Sequence, residues 1–346
     1  SFPQVNTATD LARQMPAWRA LAAAAGMPSL YNDPRWLTVL QQGRGDAPYV
    51  LESISDGKLN GLLPLTLVSG PLFGRFLVAL SHVSIGTMYC DNPSTGAALI
   101  DRAITLADEL NVSFLELRHE FPIRHPALQF AVTDKVLMRL DLPATADALF
   151  TQLGGKVRNQ IRKAERIGFT THWGGTEQLD EFYSLYARRM RELGTPVDGR
   201  KVFEVILNSF PQQAELVVVR REDRAVASAL VLHGASDSTM HRSATLVTER
   251  ATAVNSWLHW QALRRAQEVG NWRFDLGCAT LGSSVYTFKK RWGAQPKPLL
   301  IQHYVRRGSP QKFRRRKSVE AWISLWRRLP ESVTRWLGPR ITQGMP

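Results

Sequence analysis

Lys289 stands in the run Tyr286-Thr-Phe-Lys-Lys-Arg-Trp-Gly293, shortly after Phe274-Asp-Leu-Gly277. A lysine in a helix that follows a strand can stabilise the oxyanion of a reacting carbonyl or hold a carboxylate, because its ammonium is a compact charge with three donors. Asp275 lies at the carboxyl end of the preceding strand, where open α/β sheets place their ligands. It can orient an amine, pair with Lys289, or cap the turn that follows. Tyr286 shares the Lys289 helix and can share proton transfer with it. Far upstream is a second run, Lys156-Val-Arg-Asn-Gln-Ile-Arg-Lys-Ala-Glu-Arg-Ile-Gly168-Phe169. There Val157, Ile161 and Ala164 recur at helical spacing, and Gly168 marks the stop. Lys156, Arg158, Arg162 and Lys163 occupy the other faces and are suited to an anionic substrate, arginine through its fork of donors. The same pattern describes a solvated charged face over a packed stripe. Arg242, beside His241 at a strand end, can grip a phosphate or carboxylate bidentately. Asn255, at the entry to a long helix, fits both a binding role and an N-cap.

In this order the segments K-x-R-N-x-I-R-K-A-x-x-x-G-F, F-D-L-G and Y-x-F-K-K-R-W-G-A resemble the Fem-type aminoacyltransferases. Phe182–Pro196 and the strand end Glu116-Leu-Arg-His119 extend the likeness over residues 15 to 305. It is nearest to the Fem-like subgroup associated with exosortase and exopolysaccharide clusters. The resemblance implies two tandem GNAT-like (N-acyltransferase) domains, a mixed α/β (α+β) fold, and transfer of an aminoacyl or acyl group to the amine of an anionic envelope or exopolysaccharide-related precursor. It also implies aminoacyl-tRNA as the donor and places Lys289 where many GNAT enzymes keep a tyrosine that protonates the leaving group. No long helical arm of the cross-bridge enzymes is expected, since Leu179–Leu193 makes a single helix.

The donor can also be argued from residues. GNAT enzymes pass the coenzyme A pyrophosphate to a helix N-terminus through a glycine-rich loop. Here the equivalent stretch, Thr248-Glu-Arg-Ala-Thr-Ala-Val-Asn-Ser256, has no glycine, which opposes close backbone approach. This opposes acyl-coenzyme A and favours another donor, which the resemblance implies to be aminoacyl-tRNA, with a carrier-protein thioester secondary; no bound cofactor is expected. Two other functions remain open: an ordinary acyl-coenzyme A-dependent acetyltransferase and a non-catalytic binding protein of the same fold.

The elements that must position these residues read as two similar series. Residues 11–45 look helical, with strands at Tyr49–Ser53, Gly61–Val68 and Arg75–Leu80, a helix at Ala97–Leu110, and strands at Ser113–Leu117 and Met138–Asp141. From Ala146 come two helices, a third at Leu179–Leu193 and a fourth from Lys201. Strands Glu215–Arg220, Ala225–Gly234 and Ser238–Ala244, helix Ser256–Val269 and strand Trp272–Leu276 follow. The expected division is 1–145, 146–308 with the active site, and a tail, 309–346.

That tail holds nine Lys and Arg against two Glu, half of the chain's net charge of +14. Trp322, Leu325, Trp326 and Leu329 share one helical face. A basic, Trp-rich amphipathic helix suits an anionic membrane surface, here through residues 312–340. The pattern equally suits packing on the parent domain or an RNA backbone. On the membrane reading the tail is removable without loss of the core. The eight histidines form no metal-ligand spacing, and Cys90 and Cys278 are isolated; a metal is not expected, and both thiols should be reduced. No apolar run reaches transmembrane length. Ser1-Phe-Pro-Gln lacks the basic and apolar regions of a secretory leader, so a cytoplasmic protein, peripheral at the inner membrane face, is expected. The oligomeric state is unassigned.

Overall fold

The structure, a computed structural model, describes residues 4–8, 10–26, 29–71, 73–86, 88–128, 130–132, 134–308 and 318–345. Strands β1 (Gln4–Ala8), β2 (Ala47–Ser55), β3 (Lys58–Gly70), β4 (Gly74–Val78), β5 (Tyr89–Cys90), β6 (Phe114–His119) and β7 (Phe130–Val132) belong to one sheet. Asp56-Gly57 joins β2 to β3 with positive φ at both residues, the backbone a two-residue hairpin needs. Helix α3 (Pro93–Glu109) covers this sheet. Its Asn92 cap accepts from the Thr95 N–H, and Leu99, Ile100, Ala103 and Leu106 are buried.

The expected helix over residues 11–45 is broken. It becomes α1 (Leu11–Ala24), a 3₁₀ turn at Leu30–Asn32, and α2 (Trp36–Thr38), which continues as a π-helix through Arg44. Gly26 at positive φ ends the first piece, and the Ser29 hydroxyl caps the turn. Trp18 and Trp36 are nonetheless buried.

The second sheet uses β8 (Lys135–Asp141), β9 (Thr170–Gly174), β10 (Ala214–Arg221), β11 (Arg224–His233), β12 (Asp237–Thr245), β13 (Arg273–Thr280) and β14 (Gln295–Pro298). The helices are α4 (Ala146–Gln152), α5 (Gly155–Ile167), α6 (Leu179–Leu193), α7 (Arg200–Ser209), α8 (Val254–Glu268) and α9 (Ser284–Arg291). Both faces are buried: Val217, Val219 and Val231 pack with α8 and α5, whereas Leu216, Leu230 and Leu232 pack with α6 and α7. The latter cluster also takes in Trp18, Trp36 and Leu62, so one core spans both halves.

The sheets do not follow the chain order. Strand β8, expected to close the first half, lies in the second sheet between β13 and β14. Conversely β15 (Leu300–Val305) lies in the first sheet between β6 and β7. Each half thus completes the other's sheet, and a cut at residue 145 would strip the second sheet of an internal strand.

Helices α10 (Ser318–Arg328) and α11 (Glu331–Thr342) pack on α6. Trp326 is buried, Arg191 Nε donates to the Leu329 carbonyl at 2.6 Å, and buried Arg44 donates to the Thr342 carbonyl at 2.5 Å. Packing therefore accounts for the inner face, and residues 318–345 belong to the fold. The stretch with Lys312, Arg314, Arg315, Arg316 and Lys317 lies outside the described residues. Truncation after Gly308 would leave Arg44 its bonds to Asp46 and Asp198 but remove the Thr342 carbonyl, and would expose the α6 face, at a cost of about 1–3 kcal/mol for each buried polar group left unpaired. A clear drop in melting temperature is expected; an unchanged Tm would show that these contacts contribute nothing.

Candidate functional site

Strands β12 and β13 run parallel only over Asp237–Thr239 and Arg273–Asp275. Beyond that point β12 follows β11 to Thr245 and β13 follows β8 to Thr280. Among the described residues no ladder joins their diverging edges, which leaves backbone donors and acceptors for a ligand. Strand β13 bulges where the splay begins: Leu276 and Gly277 lie opposite the single residue Met138. Gly277 has φ +81°, and a Cβ there would sit 3.6 Å from Lys289 Nζ. The left-handed backbone calls for glycine here, whereas a Cβ would meet the Lys289 ammonium only at ordinary contact distance.

Lys289 reaches this wedge from α9, which begins at the Ser283 cap. Its Nζ donates to the Cys278 carbonyl at 2.9 Å. Burial lowers its pKa, opposed by the charge of Asp275. Of the roles open to Asp275, the structure shows the cap of the following turn, with Arg139 and not Lys289 as the ion-pair partner. Asp275 Oδ2 accepts from Arg139 Nε at 3.3 Å, and Oδ1 accepts the Gly277 N–H at 2.6 Å. Burial pushes the Asp275 carboxyl up, and Arg139 works against it. Arg139 in turn grips Glu120 of the first half bidentately, at 2.5 and 2.6 Å. Tyr286 is half-buried against the core, with the Lys290 ammonium 6.0 Å from its ring centroid.

Arg242 faces the junction of the halves. It donates to the His241 carbonyl at 3.0 Å and lies 3.7 Å from Asp198, while Tyr31 hydrogen-bonds His241 at 2.9 Å. Asn255 is not the helix cap. Ala253 holds that place at φ +63°, the backbone where a glycine-rich loop would put glycine, and Asn255 Oδ1 accepts from Thr245 at 3.3 Å.

The cationic helix lies along α8, on the face opposite α6. Lys156 and Asn159 line a cavity of about 370 Å³ with Ser256, Phe288 and Arg291, at the start of α8. Arg158 bonds the Thr151 carbonyl and Arg162 stacks over Phe150 at 5.3 Å. Lys163 is exposed. The four cations therefore do not converge. On the other side of the α8 entry a cavity of about 380 Å³ is lined by Arg189, Arg250, Ser243, Thr245 and Asn255.

His259 was not singled out by sequence, although it stands one helical turn after Asn255. Its Nδ1 lies 2.8 Å from the Asn255 carbonyl, which only accepts, so Nδ1 carries the proton and Nε2 the lone pair. The ring packs against Phe288 and Trp292. Burial lowers its pKa to about 4, with Lys289 adding to the shift. His119, equally unforeseen as a site residue, lines a cavity of about 340 Å³ between the halves with Glu120, Arg139 and Arg273. Its buried Nε2 has no partner among the described residues.

The first half has its own splay. β4 and β6 pair in parallel at Leu77–Val78 and Leu115–Glu116, but residues 79–86 fold back into the opening. Gly86 bridges to Arg118, and a Cβ on Gly86 would overlap the Ala79 carbonyl. Glu116 is buried, which alone would raise its pKa, yet Arg118 and His303 bring it down to about 2. This wedge is sealed by its own chain.

The family model of the acetyltransferase (GNAT) domain matches residues 154–290, a span that takes in both splayed strands and Lys289. No curated protein matches the sequence. Among solved structures, FemX superposes with a TM-score of 0.62 at 15% identity, over 87% of this chain and 97% of its own. A putative lysylphosphatidylglycerol synthetase C-terminal domain from Agrobacterium fabrum gives 0.57 at 15%, over 91% and 96%. A tandem GNAT protein from the clavulanic acid biosynthesis pathway gives 0.56 at 14%, over 88% and 100%. The fold is a tandem GNAT fold. Its second GNAT unit holds the open wedge.

His259 supplies a pH test of the site. Its folded pKa of about 4 lies below the free value of 6.5, so the unfolded chain binds the extra proton and stability is lost as pH falls through that window. His259→Gln should flatten the loss between pH 6.5 and 4, by at most about 3 kcal/mol. Denaturant midpoints at the two ends of the window measure it; parallel profiles would place the neutral form elsewhere.

Proposed function

We propose that this protein is an N-acyltransferase of Fem-like type that moves an aminoacyl group from aminoacyl-tRNA to the amine of an anionic envelope precursor, related to exopolysaccharide synthesis. The observation that carries the reading is the open wedge of the second GNAT unit with an ammonium, Lys289, seated at its start. In such a transfer the amine nitrogen attacks the acyl carbonyl, the ester C–O bond breaks, and the leaving hydroxyl takes up a proton. Lys289 would stand against the developing oxyanion or the leaving oxygen. His259, neutral with its lone pair on Nε2, has the protonation state required to accept the amine's proton. Asp275, clamped by Arg139, would act through position, aiming the Gly277 N–H and the bulge.

The cations take different duties from those expected. Lys156 and Arg291 on one side of the α8 entry, and Arg250 and Arg189 on the other, suit the phosphates of a nucleic-acid 3′ end or a phosphorylated acceptor. Arg158 bonds the Thr151 carbonyl, and Arg162 lines a separate surface cavity with Asn159, Glu165 and Arg166. A coenzyme A-dependent acetyltransferase is the second reading, favoured by the acetyltransferase family match. Against it stands the glycine-free entry to α8, where Ala253 occupies the left-handed position.

Purified protein incubated with labelled aminoacyl-tRNA and a nucleotide-linked amino sugar as the anionic, amine-bearing acceptor tests the reading, with acetyl-coenzyme A in a parallel arm. Labelled amide from the tRNA arm alone is expected. Lys289→Met should lower kcat about 10²–10³-fold with KM little changed. Lys156→Met should instead raise KM, since it would hold phosphates in ground and transition states alike. Product from acetyl-coenzyme A alone would establish the second reading, and full turnover by Lys289→Met would remove the chemistry from this wedge.

A further inference from the structure

Helices α10 and α11 follow one another in the chain and both pack on α6, each leaving the opposite face outward. The inner face is tied down. Trp326 is 4% exposed, Ile323 abuts Gly194, and the Leu329 and Thr342 carbonyls are held by Arg191 and Arg44. What remains outside is unusual for a free surface. Trp322 is 63% exposed, Trp336 61% and Leu325 52%, with Val333 and Leu193 beside them. Large aromatics on the outer face of a fixed helix find no burial among the described residues, and several together mark an interaction site.

The charge around them narrows the partner. Arg327, Arg328, Arg335 and Arg340 are exposed on the same two helices, and Arg340 lies over the Trp336 ring at 4.2 Å. The acids on these described helices are Glu320 and Glu331, and Glu331 is matched by Arg335 at 3.7 Å. Apolar rings flanked by guanidinium groups in excess of the acids on the same helices complement a layer with anionic heads and an apolar interior, where indole sits at the boundary. No described helix is long and apolar enough to cross a membrane.

We infer that the outer face of α10 and α11 docks the protein onto an anionic phospholipid surface. The inner face serves the fold and the outer face the bilayer. Leu193, at the edge of this surface, also lines the cavity of Arg189, Arg250 and Asn255 at the α8 entry. Docking therefore brings that cavity beside the lipid headgroups, whatever reaction takes place there.

Cosedimentation of the full chain with vesicles tests the inference. Wild type should bind vesicles of phosphatidylglycerol and phosphatidylcholine, and much less well phosphatidylcholine alone, with binding weakened by salt. The double variant Trp322→Ser/Trp336→Ser removes exposed rings only, so its melting temperature should stay unchanged while vesicle affinity drops by about tenfold or more. Arg327→Gln/Arg328→Gln should weaken binding to anionic vesicles and leave the residual binding to neutral ones. Equal binding by wild type and the tryptophan double variant would overturn the inference. So would a dimer in solution that is lost in the tryptophan variant, or wild type that binds single-stranded RNA but no vesicle.

Discussion

Asp275 ties together three things that must agree for the second wedge to exist. Its backbone carbonyl accepts from Thr239 at 2.9 Å, at the last paired residue of β12. One carboxylate oxygen fixes the Gly277 N–H of the bulge, and the other meets Arg139. Arg139 belongs to the exchanged strand β8 and carries the link on to Glu120 in the first half. Asp275 and Arg139 are buried, with Asp275 at 1% exposure, and Glu120 at the end of the network borders the cavity between the halves. Removing one member would leave an uncompensated buried charge, which costs about 3–5 kcal/mol in comparable pairs. The point where the strands part, the strand exchange and the junction of the halves are thus one electrostatic unit.

The two GNAT units diverge from this starting point. Both sheets contain a parallel pair that separates, but the first fills its wedge with residues 79–86 and locks Glu116 between Arg118 and His303. The second leaves its wedge open, puts Lys289 beside the bulge and surrounds the α8 entry with cations. In this tandem fold the first unit completes its neighbour's sheet and core, and the second keeps its splayed strands unjoined.

Much of this was legible in local sequence. The period of Val157, Ile161 and Ala164 marked α5, Gly168 ended it at φ +77°, and the order of strands and helices implied the two units. The position of Lys289 beside the Asp275–Gly277 segment also followed from chain order. What failed was non-local. Strand β14 reads Gln-Pro-Lys-Pro, and its prolines argue against a strand unless it is an edge, which it is. β9 is short and largely open to solvent on one side, and β15 finds its partners nearly two hundred residues upstream, where no local pattern can point. Arg139 and Glu120 meet only because β8 crosses to the other sheet. The convergence expected of Lys156, Arg158, Arg162 and Lys163 failed for a different reason: a helix distributes four cations around its axis, and only one of them faces the α8 entry.

The central claim is that acyl chemistry takes place between β12 and β13 of the second unit. A crystal structure with a non-hydrolysable 3′-aminoacylamino nucleotide bound addresses it most directly. The account predicts the amide carbonyl in the open wedge, with Lys289 Nζ turned from the Cys278 carbonyl to within about 3 Å of the carbonyl oxygen. A ligand bound beside Glu116 in the first unit, or one that leaves Lys289 on Cys278 and the wedge empty, would contradict it.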